Sequence, residues 1–102
     1  MLDKKMKILI EERKSKNKND YIGIQECWDR IITILSKNEE ETINYLYNCS
    51  KEELYYISEV FEDISLNLNS INYINCLRHL DKKYPDLEMT NDIDIAEEYM
   101  NN

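Results

Sequence analysis

A single glycine (Gly23) and a single proline (Pro85) stand in 102 residues, and that scarcity constrains the fold more than any other feature. A sandwich or barrel of short strands turns roughly every 8–12 residues and draws on both residue types to do so. A chain without them is built from helices whose ends are made by side-chain caps. The sequence therefore predicts an all-α fold, a compact bundle or array of five to six short helices. At this length one domain with one modest core is expected over residues 1–102. Within it we separate a basic helix (1–14), a polar linker (15–20) and an acidic helical body (21–102).

Apolar spacing places the helices. Leu2, Met6, Leu9 and Ile10 line one side of residues 2–14. Ser15–Asp20 is polar throughout and reads as a flexible linker, with Asp20 capping a second helix that reaches about Ser36. Ile24, Cys27, Trp28, Ile31 and Leu35, widened by Ile32 and Ile34, give that helix so broad an apolar stripe that it is expected at the centre, buried on most sides. Ser36-Lys-Asn-Glu39 and Ser50-Lys-Glu-Glu53 both fit the capping box, and Ser70 and Thr90 stand at the equivalent place before two further helices. The helix at 71–83 is expected to bury Tyr73, Leu77, Leu80 and Tyr84 and to stop before Pro85. A last helix, 91–100, is expected to pack Ile93, Ala96, Tyr99 and Met100 inward.

The formal charge is −8, and it is unevenly distributed. Residues 1–20 carry seven bases against four acids, whereas residues 21–102 carry 17 acids against six bases. A body this acidic is repelled by nucleic acid and by anionic lipid and attracted to a basic protein surface. No apolar run approaches the roughly 18 residues of a membrane span, and the first 13 residues alternate charged with apolar side chains, unlike a signal peptide. The expectation is a cytoplasmic protein without membrane or nucleic-acid partners. Cys27, Cys49 and Cys76 form an odd, widely spaced set and read as reduced thiols.

Catalysis has little to work with. The one histidine, His79, falls among Asn72, Asn75, Arg78, Lys82 and Lys83 on the polar side of its helix. One glycine cannot make a phosphate loop, and no spacing matches a zinc site or a calcium loop. Glu62/Asp63 and Asp92/Asp94 are carboxylate pairs without a third ligand type converging on them. We expect no catalytic residues, no cofactor and no metal.

The segment 51–68, read as one helix, is the informative one. Leu54, Ile57, Phe61, Ile64 and Leu68 form its core stripe. The opposite side carries Glu52, Tyr55, Tyr56, Glu59, Glu62, Asp63 and Leu66. Tyrosines among acids make a recognition face, with aromatic anchors for affinity and carboxylates for steering and Arg/Lys pairing. The plain alternative is that a neighbouring helix covers Tyr55 and Tyr56. A second acidic stretch, Asp86, Glu88, Asp92 and Asp94, surrounds Pro85 and the last connection.

Glu53-Leu-Tyr-Tyr-Ile-Ser-Glu-Val-Phe-Glu-Asp-Ile64, the helix end Lys82-Lys-Tyr-Pro85 and Thr90-Asn-Asp-Ile-Asp-Ile-Ala96 together resemble small helical immunity proteins of bacterial polymorphic toxin systems, the contact-dependent growth inhibition group among them. The resemblance covers roughly residues 50–100, and its motifs are mostly structural. It implies a helical domain that binds and blocks a cognate toxin domain and has no catalytic residues of its own. Combined with the acidity, it makes the expected partner a toxin domain with a basic surface, a nuclease foremost. The free protein is then a monomer or homodimer, with the 1–14 helix folded back on the acidic body or holding the dimer. Two other classes share the features: a phage-type acidic nucleic-acid mimic that inhibits a nuclease, and a small helical adaptor. An upstream toxin gene favours the first reading and a phage operon the mimic. An adaptor predicts a continuous apolar groove and binding insensitive to salt.

Overall fold

The computed structural model describes residues 2–100, and among these every regular element is helical. Seven α-helices follow one another: α1 (Leu2–Ser15), α2 (Tyr21–Leu35), α3 (Glu39–Asn48), α4 (Lys51–Ile57), α5 (Phe61–Leu68), α6 (Ile71–Lys83) and α7 (Thr90–Tyr99). A 3₁₀ turn, Ser58–Val60, joins α4 to α5, and another, Pro85–Leu87, precedes α7. The Cα radius of gyration, 12.7 Å, is that of one close-packed domain of this length, about 13 Å. The all-α bundle expected from the sequence is the observed architecture.

Side chains make the helix starts. The Asp20 carboxylate accepts the Gly23 N–H at 2.9 Å to open α2, and a Cβ at Gly23 would lie only 2.4 Å from Asp20 Oδ2. The only glycine is thus the position that lets this cap close. Ser50 and Glu53 complete the capping box of α4, with both bonds at 3.1 Å. Ser70 Oγ accepts the Tyr73 N–H at 3.0 Å.

Two expected caps are corrected. Asn38, not Ser36, caps α3, accepting the Glu41 N–H at 2.9 Å. Ser36 instead ends α2 and its hydroxyl accepts from Asn67 Nδ2. Thr90 is already inside α7, and its hydroxyl donates to Asp81 Oδ2 at 2.6 Å, tying α7 to α6. In both cases a tertiary partner outcompetes the local backbone bond.

Residues 15–20 are not a loose linker. Lys16 N–H bonds Arg13 O, Asp20 N–H bonds Asn17 O, and the Asn17 side chain accepts the Asn19 N–H. This is an Asx turn that reverses the chain within a few residues. Helix ends that need a left-handed residue use Asn69 (φ 46°) and Glu88 (φ 54°), the chain having no glycine there.

The core is formed mainly by Leu54, Ile57, Phe61, Ile64, Tyr73, Leu77, Ile93 and Ala96, each at most 1% exposed. Helix α5 packs most extensively on α7. Ser65 Oγ donates to Ala96 O at 2.6 Å across that contact, and two such small side chains let the helices approach closely. Tyr73 reaches through the core and donates its hydroxyl to Phe61 O at 3.0 Å.

Helix α2 is not the central helix. Ile24, Cys27, Ile31 and Leu35 are buried, but Tyr21, Ile22 and Thr33 are exposed, so α2 lies at the edge with one face covered. Tyr84 is half-buried at the end of α6, and Tyr99 is exposed where burial was expected. Helix α1 folds back on the body: Met6, Leu9 and Ile10 enter the core. Its basic end pairs with Glu59 and Glu52.

Candidate functional site

The 51–68 segment is bent. Ser58 Oγ bonds back to Tyr55 O, Val60 sits at φ −126°, and the chain passes from α4 to α5 through the 3₁₀ turn. The run Tyr56–Phe61 is made mostly of middling helix formers, and a 3₁₀ turn takes 3.0 residues instead of 3.6. The phase computed for one continuous helix therefore fails at its midpoint, and the expected recognition face divides.

The division is sharpest at Glu59. It turns inward and accepts three bonds: Arg13 Nε to Oε1 and Arg13 Nη2 to Oε2, both 2.8 Å, and Trp28 Nε1 to Oε1 at 2.9 Å. The Glu59 and Arg13 side chains are only 25% and 15% exposed. Bonding to Glu59 raises the Arg13 pKa further, against the opposing effect of burial. Tyr56 is half-buried, and the Arg13 guanidinium lies 5.5 Å from its ring centre. Glu59 and Tyr56 thus hold α1 and α2 to the turn and do not form part of an open face. For Tyr56 the plain alternative describes the outcome.

Tyr55 remains half exposed, edge-on to Tyr56 with ring centres 5.2 Å apart. Glu52 is exposed and paired with Lys14 at 3.0 Å. Half of the second acidic stretch is likewise paired. Asp86 meets Lys51, whose bond holds the Asp86 pKa below its ordinary value. Asp94 and Glu97 share Arg78 at 2.7 and 2.6 Å. Glu88 is exposed in its left-handed turn.

Three expected residues come together differently. Glu62 on α5 lies near Asp63 and, across the tight α5–α7 contact, near Asp92 on α7, and no cation pairs with any of them among the described residues. Partial burial raises the Glu62 pKa above its ordinary 4.5, and the charges of Asp63 and Asp92 add to this, opposed by the hydroxyl of Tyr99. Burial also raises Asp92. Leu66 and Tyr99 are exposed on the same two helices, at 54% and 42%. The cluster is a patch of like charge held partly out of water with an apolar side chain and an aromatic beside it.

Tyr99 was missed as a surface residue. Its phase was readable: with Ile93 and Ala96 inward, a residue three beyond Ala96 falls well off that line on a 100° wheel. His79 is exposed and its Nδ1 lies 3.1 Å from the Tyr47 hydroxyl. Among the described residues no three His, Cys, Asp or Glu side chains are grouped to hold a metal ion. No helix among them is long and apolar enough to cross a membrane. No family model, curated protein or solved structure matches the chain.

Proposed function

We propose that the chain is a stoichiometric protein inhibitor of the immunity type, which docks the α5–α7 face on the basic substrate groove of a toxin domain, a nuclease foremost. The observation that carries this reading is the uncompensated carboxylate trio Glu62, Asp63 and Asp92 beside exposed Leu66 and Tyr99. Carboxylates that repel one another and are partly desolvated gain most when an arginine or lysine arrives, because the cation relieves repulsion already present in the free protein. Leu66 and Tyr99 supply the apolar contact that slows dissociation. The body's charge steers the encounter, which raises association rates at low salt. Glu52 and Tyr55 on α4 form a flank of the same kind, already half satisfied by Lys14.

The test is a binding titration against the protein encoded beside this gene, with thermal melts of every variant. The expected result is a 1:1 complex. In the charge-reversed form (Glu62→Lys, Asp63→Lys, Asp92→Lys) association slows about tenfold or more, and Tyr99→Ala mainly speeds dissociation. Unchanged affinity in the folded triple variant removes this face from the interface.

A further inference from the structure

The α1–α3–α4 side of the molecule carries a second feature that shares no residue with the α5–α7 face. A half-enclosed cleft of about 790 Å³ runs between the start of α1 and the end of α3, within the range of roughly 300–1,000 Å³ that holds small ligands. Tyr45 lines it and is only 7% exposed, yet its hydroxyl has no hydrogen-bond partner. A buried, unsatisfied hydroxyl is destabilising by about 1–3 kcal/mol and is uncommon in folded proteins. The charged and polar groups that bear on it, Cys49, Glu53 and Asp3, line the same cleft, so the hydroxyl, itself closed to solvent, lies directly behind the cleft wall. Burial first, and these groups after it, keep it protonated, hence a donor.

The rest of the lining says what such a donor would meet. Lys5, Lys7 and Lys37 reach the cleft, and none has an ion-pair partner among the described residues. The acids there are compensated by position: Asp3, Glu41 and Glu53 all lie in first turns of helices, where the helix dipole favours negative charge, and Glu53 also serves the α4 cap. Leu2, Ile34 and the Tyr45 ring are the apolar wall. The acids beside the Tyr45 hydroxyl disfavour an anion at that end, so a neutral oxygen belongs there and the anionic group belongs with the lysines.

We propose that this cleft is a binding site for a small organic carboxylate that also carries a neutral carbonyl oxygen, the carboxylate on the lysines and the carbonyl accepting from Tyr45 once the side chains in front of its hydroxyl move aside. N-acetylphenylalanine is a suitable probe, and its amide without the carboxylate, N-acetylphenethylamine, is the control. In ¹H–¹⁵N spectra the acid is expected to shift Asn44, Tyr45 and Asn48 saturably by about 10 mM, and the control is expected not to. Tyr45→Phe is expected to weaken the acid about tenfold, and paired Lys7→Gln and Lys37→Gln to weaken it further. The same Tyr45→Phe variant is expected to melt higher by about 4 °C or more, since it removes an orphaned polar atom. No saturable shift, equal binding of the control, or a lower melting temperature for Tyr45→Phe would each overturn the proposal.

Discussion

The Arg13–Glu59–Trp28 junction lends itself to a quantitative test, because the charge change is small and the probe is built in. Glu59→Gln keeps the volume but replaces a carboxylate that accepts three bonds with an amide whose NH₂ opposes the Arg13 fork. Breaking a fully buried pair costs about 3–5 kcal/mol, and an exposed pair is worth about 0–1. Side chains 25% and 15% exposed stand between these limits. The amide oxygen can still take the Oε1 place and accept from Trp28 Nε1 and Arg13 Nε, so the loss falls on the Arg13 Nη2 bond and on the charge left without its partner. The expected destabilisation is about 2–3 kcal/mol, a fall in melting temperature of about 10–20 °C for a domain of this size. Trp28 is the sole tryptophan, so its emission reports the native junction while far-UV circular dichroism reports the helices. Arg13→Met with Glu59→Met should recover much of the loss, since no charge is then stranded. Urea melts of the single and double variants give the coupling energy. A Glu59→Gln cost below about 0.5 kcal/mol with unchanged native emission would refute the reasoning.

Other outcomes follow from the same geometry. Glu62 and Asp92 have raised pKa values, so their contribution to stability is fully present below their ordinary values of 4.5 and 3.8 and is lost as pH rises through the folded-state values. Glu62→Gln with Asp92→Asn is accordingly expected to stabilise the protein at neutral pH, by under about 1 kcal/mol for each of these solvent-screened, half-buried groups, and to leave acid stability unchanged; melts at both pH values check it. Glu88→Gly should stabilise by about 1 kcal/mol in urea melts, because φ 54° strains any residue with a Cβ. Among the thiols, Cys27 and Cys76 are buried and should resist a thiol reagent until unfolding. Cys49, half-buried with burial chiefly raising its pKa to about 12, should react first but slowly, as stopped-flow labelling would show.

What the sequence made legible is local chemistry. Ser50 with Glu53, Ser70 before Tyr73, and Asp20 before Gly23 all cap as their spacing predicts, because each bond is closed within three residues. Ser36 and Thr90 carry the same signal but spend their hydroxyls on Asn67 and Asp81, partners supplied only by the fold. The candidate face suffered from the same distance effect. Glu59 pairs with residues 31 and 46 positions away, and no periodicity encodes such partners. A helical wheel carries its phase error past the Ser58–Val60 turn. Glu62 and Asp63 are half-buried on α5, and Asp92 comes near Glu62 because α7 crosses α5, a pairing of helices that intervening α6 does not announce. The Tyr45 cleft was invisible for a simpler reason: a tyrosine at a core position gives no sign that its hydroxyl will lack a partner.

The α5–α7 contact has a consequence for how the molecule is made. Ile93 and Ala96 close the core over Phe61, Ile64 and Ser65, so the α7 side of residues 61–65 stays uncovered until α7 has left the ribosome, while α2 and α6 pack on the rest of α5. The nascent chain carries that side of Phe61 and Ile64 open through the synthesis of some thirty further residues, a time of about 2–6 s at roughly 5–20 residues per second. A chain cut short of α7 is expected to keep that side open and to be cleaved faster in limited proteolysis. Docking of α7 is thus the step that completes the core.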